Sequence, residues 1–368
     1  MFKKLVVIFI LTYSAMHIKA DTDPDTNYVQ KFKNIFAAKG FVISNGFNYV
    51  LTPRNNSNFT EQQLNNAQVI YSPYIPTTLG ISMNIKGVGF TYVFKLKNDF
   101  LDTLGRAKSG FKQFQMNIYG TKLGFEAYYQ DYKRFYFHYK GDHLVLNDYN
   151  SDIRAYQWGM NFIFIFNGKK FSYNAAFNQT QLQKKSAGSW MLIPALKFNE
   201  LKSGHLIPYS LNKYFGDITN LKRNRNYSFL IQTGYGFNLT KSNFYFSGAF
   251  LAGAGIQTQS YTYPLGKLHK IAFPLVSRVK AGLGYNGKVF FSGFFANADV
   301  CQSTVKQVKT QQLIYSYGIY VGFRAVEFTK TKGQLKNEAK RKKLGEKEAA
   351  QKLKEQKRNA AKERKKKK

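Results

Sequence analysis

The sequence predicts an all-β protein: an antiparallel transmembrane β-barrel of about fourteen strands, with twelve as the fallback, followed by a basic tail that is helical or disordered. Three observations carry this. Apolar and polar residues alternate with a period of two through most of the chain, as strands with one oily face require. Beyond the N-terminus no stretch holds the roughly 18 apolar residues of a spanning helix. Yet Tyr (26), Phe (34) and Gly (29) are abundant, and the mean hydropathy is −0.39. Short turns and long polar connections also alternate, as they do at the two ends of an outer-membrane barrel.

Residues 1–20 read as a secretory signal peptide. Lys3 and Lys4 are its basic start, Leu5 to Tyr13 its short apolar core, and Ala20 the residue before cleavage. No Cys follows the cut, as a lipoprotein would require. Residues 21–39 form a periplasmic segment in which Tyr28 to Ala38 is expected to make a short helix. Residues 40–328 are the barrel and 329–368 the polybasic tail.

The first strand is expected at residues 41–51, and the Asn-, Pro- and Ser-rich stretch 52–76 as a loop. Ile81, Met83 and Ile85 then share a face, and after Lys86-Gly87 so do Val88, Phe90, Tyr92 and Phe94. The clearest hairpin follows: Phe114, Met116 and Ile118 oppose Gln113, Gln115 and Asn117, and after Gly120-Thr121 the return strand alternates Leu123, Phe125, Ala127 and Tyr129 with polar residues. Trp158, Met160, Phe162, Phe164 and Phe166 oppose Gln157, Gly159 and Asn161, and beyond Asn167-Gly168 the run Phe171, Tyr173, Ala175, Phe177 reads as the next strand. Further strands are expected within 186–197, 227–239, 243–257, 275–285, 288–300 and 313–323, with long connections at 98–109, 141–154, 199–225, 260–269 and 302–311.

Counting strands up and down puts the turns at Lys86, Gly120 and Gly168 on the periplasmic side. Counting back from the last strand puts Ser242 and Asn286 there too. The two counts miss each other by one strand between Phe177 and Tyr227. A separate strand at Phe135 to Tyr139, or one within Leu206 to Tyr214, restores the even number at fourteen; merging a pair gives twelve.

In the final strand Tyr315, Tyr317, Ile319, Val321 and Phe323 are apolar at every second position and end on an aromatic. This resembles the terminal signal read by the barrel-assembly machinery, which with outer-membrane lipid is an expected partner. From Lys330 to Lys368 there are 18 Lys/Arg against 5 Asp/Glu, a net +13 of the chain's +35. Leu335, Leu344 and Leu353 stand nine apart, roughly half a turn out of phase at 100° per residue, so no coiled-coil stripe exists. The tail reads as solvated, or as an arm for anionic lipid heads or cell-wall polymer in the periplasm. A secreted chain is not expected to meet nucleic acid.

Lys95, Lys122, Glu126, Arg278, Lys280 and Arg324 fall on the inward phase of their strands, where they would fill the lumen by pairing or favour anions in an opening. The polar segment with Gln181, Gln183, Lys184, Lys185, Ser186 and Ser189 is expected as a folded-in rim or a hydrated hairpin end. One Cys, Cys301, excludes an internal disulfide. His138, His143, His205 and His269 have no ligand spacing, so neither metal nor cofactor is expected, and no nucleophile sits on a strained turn. The sequence therefore predicts a non-enzymatic barrel, structural or a narrow pore. The alternatives are an outer-membrane hydrolase with His143 or His138 as base, and a scaffold that binds through its tail.

Three runs carry a resemblance: Thr78-Leu-Gly-Ile-Ser-Met-Asn-Ile-Lys-Gly87, Gln115-Met-Asn-Ile-Tyr-Gly120, and Phe171-Ser-Tyr-Asn-Ala-Ala-Phe-Asn-Gln179 with Gln183-Lys-Lys-Ser-Ala-Gly-Ser189. They resemble the domain of unknown function 4421 family over about Asp25 to Phe328, the third run most specifically. The resemblance implies a secreted outer-membrane barrel of a Gram-negative bacterium and supplies no catalytic residues. The tail departs from it.

Overall fold

The computed structural model describes residues 23–32, 36–54, 58–75, 77–95, 109–139, 148–216, 219–264, 266–305 and 308–325. Its strands in chain order are β1 (Val29–Lys31), β2 (Phe36–Pro53), β3 (Val69–Ser72), β4 (Thr78–Ile85), β5 (Val88–Lys95), β6 (Gly110–Tyr119), β7 (Leu123–Tyr139) and β8 (Asp148–Ile165). After them come β9 (Gln181–Gln183), β10 (Ala187–Lys202), β11 (Arg223–Lys241), β12 (Phe244–Tyr263), β13 (Gly266–Ala272), β14 (Leu275–Asn286), β15 (Phe290–Val305) and β16 (Val308–Ala325). A short helix, α1 (Glu61–Asn66), starts on a Thr60–Gln63 capping box inside the expected loop 52–76.

Among the described residues fourteen strands share one antiparallel sheet, and twelve of them close a barrel in the order β2-β4-β5-β6-β7-β8-β10-β11-β12-β14-β15-β16. The ring shuts where β16 pairs β2 along its length, Val308 opposite Pro53 and Ala325 opposite Phe36. Twelve is the lower of the two expected counts. β3 and β13 bring the sheet to fourteen without joining the ring: β3 bridges β2 and β7 above the short strands β4 to β6, and β13 pairs only β12.

The parity gap has a definite cause. The run Phe171, Tyr173, Ala175, Phe177 is not a strand; residues Asn174–Asn178 form one π-helical turn that closes on Gln179 in the left-handed region (φ 56°). Ser172 anchors its start, its Oγ accepting from Ala175 N at 3.0 Å. A seven-residue alternation is too short to separate a strand from a buried turn. Without this segment the two counts join at twelve. Neither expected extra strand exists. Phe135 to Tyr139 continues β7 through a bulge, where Arg134 takes φ 63° and the register slips between Lys133 and Phe135. The slip turns the inward phase from Tyr132 to Phe135, which an unbroken period of two cannot do. Leu206 to Tyr214 instead holds the 3₁₀ turn Tyr209–Leu211 and the start of a helical turn, α2 (Asn212–Phe215).

Other boundaries also shift. The expected helix at Tyr28 to Ala38 is replaced by β1 and the start of β2. The expected connections 260–269 and 302–311 are mostly strand. The stretches 260–269 and 302–311 carry polar residues on both faces, so no oily stripe marks them as strands. The tight ends behave as read: Lys86 (φ 51°) and Gly87 (φ 92°) turn β4 into β5. The signal peptide and the tail lie outside the described residues.

The outward phase is apolar in a band nearer the short turns. Phe114, Phe164, Ile231, Phe246, Leu283 and Val321 are all exposed, while Asn161 and Gln157 are buried inside. Trp158, Phe198 and Tyr227 pack together along the upper margin of this band, with Trp158–Phe198 at 5.7 Å and Phe198–Tyr227 at 4.7 Å. Trp190–Tyr235 and Phe244–Tyr285 lie toward the lower margin. On β11 the two aromatic levels, Tyr227 and Tyr235, are separated by close to the 9–11 residues with which a tilted strand crosses lipid. Above the upper girdle the outer face turns ionic: Arg154 grips Asp131 at 2.8 and 2.9 Å, and Arg225 pairs Glu200. A closed ring with this coating is a transmembrane β-barrel of the outer-membrane kind.

Ile231 stands midway between the girdles on β11. Ile231→Arg is expected to lower the folding free energy in lipid by about 2–4 kcal/mol. The check is a urea titration followed by the heat-dependent gel shift of the folded barrel; an unchanged midpoint would contradict the lipid assignment.

Candidate functional site

The barrel is filled at both ends, and the site is what lies between. At the short-turn end the chain from Phe166 to Ser186 folds back under the ring as a plug. Phe171, Tyr173 and Ala176 pack on Ile163, Ile165, Met191, Ile193 and Leu251, the inward residues of β8, β10 and β12. Amides tie the plug to the wall: Asn174 Nδ2 donates to Tyr119 O at 2.8 Å, Gln179 Nε2 to Tyr245 OH at 3.2 Å, and Ser247 Oγ to Ala176 O at 2.9 Å.

The polar segment belongs to this plug. Gln181 Oε1 accepts from Ser172 Oγ (2.7 Å), and Gln183, buried, donates to Lys170 O (2.6 Å) while its Oε1 accepts from Ser172 N (3.0 Å). Strand β9 pairs β1, so the N-terminal segment is stitched to the plug; Lys184 N donates to Tyr28 O (2.7 Å) and Lys185 lies over the Tyr28 ring. Ser186 Oγ accepts from Thr240 N and Ser189 Oγ from Asn167 N, both at 2.9 Å, fastening the plug's exit to the wall.

Arg324 holds the plug shut. It is fully buried near the end of β16, and no carboxylate among the described residues pairs with it. Nε donates to Gln179 O at 3.0 Å, and the Nη groups reach the Gly287 and Lys288 carbonyls, the Asn286 side chain and Gln179 O again. Phe32 and Phe291 cover it at 4.8 and 4.7 Å. A buried cation is tolerable only when its donors are answered; here the β14–β15 turn and the plug supply the acceptors, and the N-terminal segment adds the Phe32 ring.

At the long-loop end the interior is oily. Ile43, Phe47 and Leu51 of β2, Tyr132 and Phe135 of β7 and Tyr261 of β12 pack against Leu206, Ile207, Leu211 and Phe215, which the β10–β11 connection carries inward, and against Val69 and Tyr71 of β3.

Between the fillings lies a cavity of about 260 Å³. Its walls carry Lys39, Lys197, Arg278 and Lys280 against Glu126 and Asp299, four cations to two carboxylates. Glu126, 4% exposed, accepts from Tyr119 OH (2.5 Å), Asn161 Nδ2 (2.9 Å) and Lys280 Nζ (3.3 Å); Lys280 also donates to Tyr173 OH of the plug at 2.8 Å. Arg278 pairs Asp299 at 2.5 Å. The charged set from the sequence therefore divides. Glu126, Arg278 and Lys280 meet at the cavity, and Arg324 lies in the latch. Lys95 ends β5 and donates to Ser109 O at 3.2 Å, off the cavity wall. Lys122 sits in the β6–β7 turn and is exposed, not in the lumen, because the two-residue turn ends the alternation before it.

Lys39, Lys197 and the plug amides Asn174 and Gln179 escaped the sequence reading. Lys197 does sit at the inward phase of its expected strand, a signal available in the alternation, whereas Lys39 precedes the expected first strand. The side chains of His138 and His143 lie outside the described residues; His205 stands 3.4 Å from Tyr209 OH, and His269 is exposed on β13. Of the terminal signal, Tyr317, Ile319, Val321 and Phe323 are exposed to the lipid side and Tyr315 stacks on Tyr317 at 6.5 Å.

The chain is similar to several solved barrels. These include the outer membrane protease OmpT from Escherichia coli (6% identity, 82% of this chain and 100% of that one, TM-score 0.35). They also include the beta domain of the Bordetella autotransporter BrkA (10%, 78% and 100%, TM-score 0.29) and the Pseudomonas putida toluene transporter TodX (8%, 83% and 92%, TM-score 0.25). Similarity at this level transfers neither residues nor activity. No curated protein matches the chain. From residue 23, just before the strand that stitches the plug, to residue 324, the latch arginine itself, the sequence matches one family, and the protein belongs to it: Domain of unknown function (DUF4421).

Proposed function

We propose that the protein is a non-enzymatic outer-membrane barrel that stands closed, a structural element with a sealed positive chamber and not a standing pore. One observation carries this reading: the lumen is occupied at both ends, by a plug latched through Arg324 and by the oily cluster around Phe47, Tyr132 and Phe215. Any passage that opens when both fillings move would favour anions, because the chamber's cations outnumber its carboxylates. The signal peptide is cut after Ala20, the barrel-assembly machinery reads Tyr315 to Phe323, and the tail from Lys330 to Lys368 lies in the periplasm, where it leans on anionic lipid heads or cell-wall polymer.

In planar bilayers the wild-type barrel is expected to show no steady conductance, and Arg324→Ala alone to stay silent because the outer cluster still closes. Arg324→Ala combined with Leu206→Ser and Phe215→Ser is expected to give steps whose reversal potential shows anion preference. A wild-type protein that conducts continuously overturns the reading. The latch is tested separately. Losing charge-assisted bonds worth about 1.5–3 kcal/mol each should expose residues 166–186 to added protease in Arg324→Ala, with the barrel's heat-dependent gel shift retained; equal resistance in both proteins would mean that Arg324 does not hold the plug.

Deleting Lys330 to Lys368 is expected to leave the gel shift intact and to abolish salt-sensitive sedimentation with vesicles rich in anionic lipid or with cell-wall sacculi. Unchanged sedimentation removes the tail from the account.

A further inference from the structure

On the outer face, strand register aligns the side chains of neighbouring strands into rows. The upper aromatic girdle is one such row: Phe114 of β6 stands opposite Tyr129 of β7, Tyr129 opposite Trp158 of β8, Trp158 opposite Phe198 of β10, and Phe198 opposite Tyr227 of β11. One outward position higher, the same strands bring Lys112, Asp131, Tyr156, Glu200 and Arg225 abreast. One position higher again stand Lys133, Arg154, Lys202 and Arg223, on β7, β8, β10 and β11. Four cations are thus immediate cross-strand neighbours, with no carboxylate in their row.

Like charges directly opposite one another destabilise a sheet. The carboxylates of the row below relieve this only in part. Asp131 accepts from Arg154 and lies 3.9 Å from Lys133; Glu200 pairs Arg225 and lies 3.8 Å from Arg223. Each carboxylate serves two cations and neutralises one. Both are covered, their side chains 9% and 6% exposed, whereas those of Arg154 and Arg225 remain 47% and 42% exposed. Lys202 is exposed and has no ion pair among the described residues. The two upper rows hold six cations and two carboxylates; Asp152, exposed two residues before Arg154 on β8, adds a third carboxylate.

The charge is confined to this sector. On the far side of the ring the upper outward rows are Gln302, Gln311 and Val50, then Thr304, Lys309 and Thr52, with a single cation. Water asks only for polarity, and the far side meets it with amides and hydroxyls. The cation row answers a neighbour that carries negative charge. Its place names the neighbour. It stands just above the aromatic girdle, where lipid heads lie, and the exposed band of Phe114, Phe162, Phe229 and Ile231 runs down from it. The row crosses three strand spacings, about 14–15 Å, which is wider than one phosphate group.

We propose that the outer face of β7, β8, β10 and β11 is a binding site for a lipid whose head carries two or more phosphates. Arg154, Lys202 and Arg223 hold the phosphates, Asp131 and Glu200 keep the guanidinium groups in place, and the acyl chains lie on the apolar band below Trp158 and Tyr227. The site requires that the ring span lipid and is indifferent to whether the lumen is closed, so its failure and that of the closed-barrel reading are separate results.

The full chain is refolded into detergent micelles with diphosphoryl lipid A, monophosphoryl lipid A or phosphatidylcholine, and the lipid retained per barrel is counted by native mass spectrometry. Wild type is expected to hold one diphosphoryl lipid, to bind the monophosphoryl form about tenfold more weakly, the equivalent of one charge-assisted hydrogen bond, and to retain no phosphatidylcholine. Lys202→Gln with Arg223→Gln should weaken the diphosphoryl lipid about ten- to hundredfold, and Lys309→Gln on the far side should leave it unchanged. Inorganic pyrophosphate at the same concentration, with the charge but not the chains, should not displace the lipid. Without lipid, Lys202→Gln removes a repulsion and should raise the urea midpoint of the heat-dependent gel shift, the opposite of its effect on binding. The gel shift certifies each variant as folded; should the double variant not fold, Lys202→Gln alone and the three lipids on wild type decide. Phosphatidylcholine held as well as the diphosphoryl lipid, equal retention in the folded variants, or displacement by pyrophosphate would each overturn the proposal.

Discussion

Lipid offers no hydrogen bonds, so every backbone N–H and C=O that crosses it must find its partner in the protein. That demand sets the closure of this chain. The first barrel strand, β2, and the last, β16, are nearly three hundred residues apart, and they pair along their whole length. Once the ring is shut, the period of two does the rest. In the membrane band one phase of each strand, Phe114, Phe164, Ile231 and Leu283 among it, faces the hydrocarbon, and the other phase is committed to a confined interior whatever its chemistry.

A twelve-stranded ring is too wide for its inward side chains to fill alone, since about eight strands are the limit for that. The chain solves this differently at each end. Below, a folded-back segment supplies amides and aromatic rings and is bound to the wall by groups that would otherwise be orphaned, Arg324 above all. Above, β4, β5 and β6 stop early and β3 spans the gap, so one strand replaces three and oily side chains fill what remains. The chamber is left between two unlike fillings. Its lining is largely polar, with plug residues Ala176 to Gln179 closing it from below and wall amides and charges around it.

What was legible in the sequence was whatever one oily face could write. Phe114, Phe164 and Val321 announce lipid because nothing else rewards an exposed aromatic at every second position. The short turns were legible for the same reason: they interrupt a strong rhythm. The strand ends above the membrane were not, since Thr258, Ser260, Lys309 and Thr310 meet water or amides on both faces and leave no periodic trace. The plug was misread because Phe171, Tyr173, Ala175 and Phe177 satisfy a period of two by accident of length, while the fact that decides their fold, a ring of inward apolar residues waiting to be covered, lies far away in sequence. Glu126, Arg278 and Lys280 could be placed inside by phase; that Lys280 would bridge Glu126 and plug Tyr173 depends on partners 154 and 107 residues away.

The family match spans the ties of the inner end from both sides of the chain. It begins in the short segment leading to β1 and ends at Arg324, the residues that tie plug to ring from opposite ends of the chain. The membrane band can be built from many apolar sequences, since lipid asks only for area. A guanidinium enclosed by four carbonyl and amide acceptors and two rings asks for particular neighbours at fixed places. The plug and its latch are therefore where the specific part of this sequence is concentrated, and a function that depends on the chamber would draw its identity from them more than from the wall that lipid sees.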